Sequence, residues 1–374
     1  MRNLEFLGYR RETRNTRAWQ IFNDALQRYR NFDVLFNTGE YAAALRGLLV
    51  SDSMAARADA LDKQWVAPTL LRIQVLRRVI FLCRATGLTV CTPAQTDAYV
   101  RSALALAERG AARFPDNIDV LEERGISKYE LWRWQVQAHS VNDLELRNSA
   151  ERDLGDVIAA DAKRARARMY AADILSARAR FREEKEMALQ ALAVDPTAAR
   201  DQRIFYRLAM ASLELGQETE ALEWCGKGRQ RFPGDESLMY CELTVRAYGN
   251  VVAADVARSW QIVRELGARP QPMLVPLFEM LMASVLARAG LPDSARSVAA
   301  RASAQAPGAV SLMWPEAVLW TRLGDYDRAV RILEEDGRRD PAWTKRTLLS
   351  HAFKPLHNHP AFQRLLAQYT RNPD

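Results

Sequence analysis

Three histidines fall close together near the C-terminus: His351, His357 and His359, the last two spaced as His-Asn-His. Neutral imidazole is the commonest metal ligand, so the spacing invites a zinc-type reading. No cysteine or carboxylate completes a coordination set, however, and the segment is a proline-flanked turn feeding AFQRLL. The histidines therefore read as part of a structural cap, with no metal and no other cofactor expected. Cys83, Cys91, Cys225 and Cys241 form no CxxC pair and have no histidine nearby in sequence. Zinc-site spacings are thus absent, and the four are expected as small buried hydrophobes. Cys225 and Cys241 are spaced to be neighbours across a helix pair, but spacing alone does not establish a bond.

Catalytic signatures are missing as well. The chain contains no GxGxxG loop, VAIK-like lysine, HRD or DFG, no GxxxxGK[ST], no GxSxG and no HExxH. His139 and the few acids around it make no constellation, so no enzyme is expected. The run KRARARMYAADILSARARFR (163–182) sets seven bases, Lys163, Arg164, Arg166, Arg168, Arg178, Arg180 and Arg182, against Asp173 alone. At helical spacing these spread round the axis, which suits solvation or pairing with Glu183 and Glu184 better than a phosphate stripe. Tyr129 and Trp132, three apart in KYELWRW, read as inter-helix packing rather than a binding platform.

Charge and composition limit the partners and the class. A formal charge of +7 and a pI near 9.3 permit an anionic partner without demanding one, so nucleic acid is not the expected ligand. With 17 glycines and 15 prolines in 374 residues, the composition favours helix. The N-terminus carries no secretory signal pattern. The most apolar stretch, MLVPLFEMLMASVLA (273–287), contains Pro276 and Glu279 and reads as a buried helix, not a membrane span. A soluble, cytoplasmic chain is expected.

One spacing organises the second half. Gly324 precedes Ala329 by five residues and Pro341 by seventeen; Gly290, Ala295 and Pro307 repeat the marks 34 residues earlier. Gly216, Ala221 and Pro233 repeat them again a further 74 residues back. Each mark has a physical job. The glycine turns the chain at positive φ between two helices, the alanine lets them approach closely, and the proline stops the second one.

These marks resemble the tetratricopeptide repeat. Residues 202–235 match at Phe205, Leu208, Ala209, Gly216, Ala221 and Pro233, with Gly228 replacing the late alanine. Residues 276–309 match at Ala283, Gly290, Ala295, Ala302 and Pro307, and 310–343 at Ala317, Gly324, Tyr326, Ala329, Leu333 and Pro341. Weaker units end at Pro115 and Pro196, another spans 150–161, and Gly39, Tyr41 and Ala44 begin a first one. In 236–270 the turn glycine is missing from VVAAD, leaving Gly249 to serve one step early. The resemblance implies an all-α, right-handed solenoid of about eight helix pairs. Its parts would be an extension at 1–16, repeats over 17–341 with an insertion at 136–148, and a C-terminal capping helix within 342–374.

SDSMAARADALDKQWVAP (51–68), DVLEERGISKYELWRW (119–134) and LLSHAFKPLHNHPAFQRLL (348–366) further resemble arrays that accompany bacterial serine/threonine kinase or TolB-like domains. In such arrays a unit ends in Leu-Asp-Pro-x-Trp; here Leu61, Asp62, Lys63 and Trp65 stand at those places. The likeness implies a regulatory or interaction module without kinase activity. In solenoids of this kind the first helix of each unit lines the concave wall. The candidate partner-binding groove is then Arg203, Tyr206, Arg207, Met210, Leu277, Met280, Trp314 and Val318, where an apolar or amphipathic peptide from a protein partner would bind. Arg203 and Arg207 would meet a carboxylate. The alternatives are a groove filled by the chain's own C-terminal helices, and a sensory module for a kinase or transcription system.

Overall fold

The computed structural model describes residues 13–85, 89–139, 141, 143–194, 202–268, 274–339 and 341–370. Among them every regular element is helical, and the chain divides into two compact units, residues 1–161 and 162–374. The repeat marks expected at Pro196 and Pro270 lie outside the described residues, as does most of the N-terminal extension.

The first unit holds α1 (Thr16–Arg30), α2 (Phe32–Asn37), α3 (Tyr41–Leu61), α4 (Ala67–Ala85), α5 (Pro93–Arg113), α6 (Ile118–His139) and α7 (Leu144–Ala160). Successive long helices pack on one another, with α1 against α3. Polar side chains start several of them. Asn15 caps α1 by accepting from the Ala18 N–H, Thr92 and Gln95 form a reciprocal capping box on α5, and Asp143 caps α7. Trp65 fills the core, 4.7 Å from Phe22, and Tyr129 and Trp132 are buried 5.9 Å apart. Arg–carboxylate pairs stitch neighbouring helices: Arg77–Glu123, Arg84–Glu130, Arg113–Asp59 and Arg124–Asp153. Across the interruption expected at 136–148, α6 runs to His139 and α7 begins at Leu144.

The second unit runs α8 (Ala165–Ala177), α9 (Phe181–Val194), α10 (Gln202–Glu214), α11 (Glu218–Arg231), α12 (Glu236–Tyr248), α13 (Val256–Gly267), α14 (Val275–Arg288), α15 (Pro292–Gln305), α16 (Val310–Arg322) and α17 (Tyr326–Arg339). After these come α18 (Pro341–Leu348), a 3-10 turn (His351–Leu356) and α19 (Pro360–Thr370). The helices pair as α8/α9, α10/α11, α12/α13, α14/α15 and α16/α17. The first members, α8, α10, α12, α14 and α16, also touch in succession and make one layer. With three pairs in the first unit, the described residues form eight.

The repeat marks sit where their chemistry requires. Gly216, Gly290 and Gly324 turn their helix pairs at φ of +77°, +75° and +77°, a region costly to any residue with a Cβ. Ala221, Ala295 and Ala329 are wholly buried at the crossing points. The α12–α13 link departs from the expectation: Gly249 has φ −61°, and Asp255 takes the left-handed conformation at +42°. Gly249 is required there for closeness instead, since a Cβ would lie 2.5 Å from Glu218 Oε2.

The cysteines correct the sequence reading. They are buried, as expected, but not as free thiols: Cys83 is bonded to Cys91 and Cys225 to Cys241. Helix packing brings the paired Cα atoms to 5.3 Å and 5.9 Å, within bridging distance. The second bond ties α11 to α12, across neighbouring pairs.

Candidate interaction groove

The first-helix layer of the second unit carries all eight candidate residues, at different depths. Met210, Met280 and Val318 point into the core, so they support the face rather than form it. Arg203 is exposed, with its guanidinium 5.5 Å from the Tyr170 ring of α8. Half-buried Tyr206 stacks on Tyr240 of α12 at 6.5 Å. Arg207 turns away from a ligand's reach: it forms an ion pair with Asp173, lies 3.6 Å from Glu184 and donates to Ser176 Oγ at 3.4 Å. Leu277 on α14 is half-buried, as is Trp314 on α16, whose ring lies 5.1 Å from Tyr248.

The C-terminal segment lies on this same layer. From α18, Arg346 donates Nε–H to Ser176 Oγ at 3.2 Å and reaches Glu214 of α10 at 3.5 Å. Its guanidinium carbon lies 5.7 Å from the Phe181 ring and 5.6 Å from the Trp314 ring. Glu214 also accepts from Ser350 Oγ at 2.8 Å and from the His351 N–H at 2.9 Å. The C-terminal residues thus cover part of the face that sequence spacing assigns to a partner.

Two buried carboxylates organise the surroundings in opposite ways. Burial pushes Glu184 up to about 7, against the attraction of Arg207 and Arg346. Burial also favours neutrality at Glu218, but donated hydrogen bonds from the backbone of Asn250, Val252 and Val251, and one from His351, hold it at about 2. Those backbone N–H groups lie 2.5, 2.8 and 2.7 Å from its oxygens. His351 Nε2 lies 2.8 Å from Glu218 and 2.8 Å from Asn250 Nδ2, so one carboxylate fastens both the α12–α13 link and the C-terminal turn. Arg322 donates to the Tyr248 and Gly249 carbonyls at 2.6 and 3.1 Å, and burial lowers it to about 10.

The histidine trio is dispersed. His351 meets Glu218, His357 stacks on Phe362 at 5.7 Å, and His359 lies 3.4 Å from Asp327. In the basic run, Arg168 is buried and donates to Gln190 at 2.7 Å and to the Ala162 carbonyl at 3.1 Å, while Arg180 pairs with Glu183. Sequence reasoning missed Ser176, Phe181, Glu214, Glu218 and Arg346. Two helical signals bore on them: a glutamate at an otherwise apolar spacing, and the SHAFKPL phrase after Arg346.

Left-handed glycines inside helix pairs, fully buried alanines at the crossings and a single layer of first helices together decide the architecture. The chain has a tetratricopeptide-like fold. No protein-family model matches it, and no curated protein matches its sequence. Similar solved structures include a tetratricopeptide repeat protein from Parabacteroides merdae, 12% identical, covering 94% of this chain and 100% of that one with a TM-score of 0.38. Yeast Tom70 is 10% identical over 91% of this chain and 98% of that one, at 0.39. Human IFIT1, in a dimer with m7Gppp-AAAA, is 13% identical over 96% and 94%, at 0.46. The tetratricopeptide-like description rests on this chain's own turns and crossings. No helix among the described residues is long and apolar enough to cross a membrane.

Proposed function

We propose that the protein is a non-enzymatic scaffold whose first-helix face in the second unit receives a peptide or helix from a protein partner. The supporting observation is the make-up of that face. Arg203, Tyr206, Leu277 and Trp314, on three helices of one layer, retain exposed surface, and together they suit an amphipathic chain. The layer also accommodates a peptide-like piece of this chain, residues 344–356, through hydrogen bonds and ring contacts. The phrases at 51–68, 119–134 and 348–366 support a narrower reading, in which the partner belongs to a bacterial signalling system.

Affinity co-purification tests the scaffold reading. The natural chain is compared with an Arg203→Glu, Tyr206→Ala double variant, both shown folded by circular dichroism. A protein held by the natural chain and lost from the variant supports the groove. A protein held equally by both places binding elsewhere. Binding that collapses steeply with added salt points to nucleic acid instead.

For the compartment we propose an alternative to the cytoplasmic expectation. Both disulfides are buried, and such bonds persist where the surroundings are oxidising. We therefore favour an oxidising compartment. Alkylation of protein taken directly from cells, read by intact mass, tests it: four blocked thiols would refute it and none would support it.

A further inference from the structure

We propose that the open face of α3, in the first unit, is a docking surface for an α-helix of a protein partner that carries two carboxylates three turns apart on its apolar side. The inference goes beyond the groove of the second unit and does not rest on it. α3 is apolar on two sides. One side, with Leu48, Ala55 and Ala58, is buried where the helix packs against α1 and α4. The other carries Arg46, Leu49, Val50, Ser53, Arg57 and Leu61, all exposed, with Leu49, Val50 and Leu61 at 37, 42 and 41%. At about 100° per residue these six fall within roughly a third of the helix circumference, so they form one stripe along its length. Apolar residues on both sides are the pattern of a buried helix, and here one side is open.

Charge selects the occupant. Arg46 and Arg57 stand eleven residues apart on this stripe, and neither forms an ion pair among the described residues. The carboxylates of α3 itself are already taken: Asp52 pairs with Arg72 at 2.9 Å, and buried Asp59 pairs with Arg113 and Lys63 at 2.6 and 3.2 Å. The stripe therefore offers two cations and no anion. A second copy of this chain meets it badly, because self-pairing in any register brings arginine to the contact and no carboxylate. A lipid surface is a weaker match as well. Two arginines give little hold on anionic headgroups, and the stripe has no aromatic anchor. A helix has the right form. Eleven residues are three helical turns, about 16 Å, so glutamates at that spacing on a partner reach both arginines. The apolar residues between those glutamates then cover Leu49 and Val50.

The experiment offers the full chain a synthetic helix. A fluorescein-labelled, alanine-rich peptide carries a leucine stripe with two glutamates eleven residues apart on it, and a second peptide has lysines in their place. Fluorescence anisotropy gives the affinities for the natural chain and for an Arg46→Glu, Arg57→Glu double variant, its fold checked by circular dichroism. The glutamate peptide is expected to bind the natural chain at least tenfold tighter than the variant, and the lysine peptide to show the reverse preference. Leu49→Asp should weaken the glutamate peptide on the natural background. No binding of that peptide to the natural chain, or equal affinity for the two chains, overturns the proposal. Should the double variant not fold, Arg46→Gln, Arg57→Gln takes its place, with the same tenfold loss expected and equal affinity again decisive against it. Cosedimentation with phosphatidylglycerol vesicles that the double variant loses, while the peptide is ignored, would give the face to lipid. A dimer in sedimentation velocity that Leu49→Asp dissociates would give it to a second copy. Either result removes the partner helix. The scaffold reading is tested separately at Arg203 and Tyr206, so a partner captured there stands whatever α3 binds.

Discussion

Left-handed glycines recur through the second unit, whereas in the first Gly39 alone among the described residues turns as a glycine at positive φ. In the second, α8 to α17 are 12 to 14 residues long, and three of the turns within their pairs, with the α15–α16 link at Gly308, are made by left-handed glycines. In the first, α3 to α7 are 17 to 22 residues long. Their links depend on caps such as Thr92, Asn117 and Asp143, and arginine–carboxylate pairs bind one helix to the next. A glycine at a tight turn sets pair geometry from within the chain, whereas a long helix needs contacts along its length. Regularity in sequence therefore marks the unit with the shorter helices.

The largest effect is expected where the second unit departs from its own pattern. Glu218→Ala strands three backbone donors and His351, and should cost roughly 3 kcal/mol or more, seen as a lowered urea midpoint. Glu218 sits at about 2 in the fold against an ordinary 4.5. Its contribution is therefore complete above about pH 4.5 and is lost as the pH falls toward 2; pH-dependent melting of the natural chain and the variant should converge there. If the variant melts like the natural chain at neutral pH, the α12–α13 link does not depend on this carboxylate.

Ala295→Trp should follow, because overpacking a closed crossing costs about 1–3 kcal/mol and lowers the melting midpoint by several degrees. An unchanged melt there would break the claim that small crossings define the second unit. The two kinds of turn can be compared directly. Gly324→Ala forces a Cβ into a φ of +77° and Thr92→Ala removes a cap, each for about 1 kcal/mol. Similar losses would put glycine and cap on an equal footing, and a silent Gly324→Ala would undo the contrast.

The smallest effect concerns Glu184. Its folded-state value near 7 lies above the ordinary 4.5, so the folded chain binds the extra proton between those limits. Stability from this group should thus be greatest below about pH 4.5 and decline as the pH rises toward 7. Glu184→Gln should flatten that part of the melting profile; an unaltered slope would mean that other groups carry it.

Much of the fold was legible because its marks are local. Gly216, Gly290 and Gly324 announce turns, and Ala221, Ala295 and Ala329 announce close crossings, since steric limits act within a few residues. Gly249 was misread because a missing side chain serves two purposes, a left-handed turn or a close approach, and spacing does not separate them. Candidate site residues chosen by register share one layer of helices, yet depth was not readable. Met280 and Val318 stand at facing positions but are covered by neighbouring helices. The cysteines were ambiguous for the same reason.

By itself the sequence determined the helical class, the pairing rhythm of the second half and the positions where a turn or crossing tolerates only a small residue. These follow from backbone sterics and side-chain period, which neighbouring residues impose on one another. The tertiary structure alone decided which cysteines bond, which carboxylate anchors the α12–α13 link, and that Arg346 meets Ser176 170 residues away. Stacking sums small rotations over several helix pairs before those groups meet, and no local spacing records that sum.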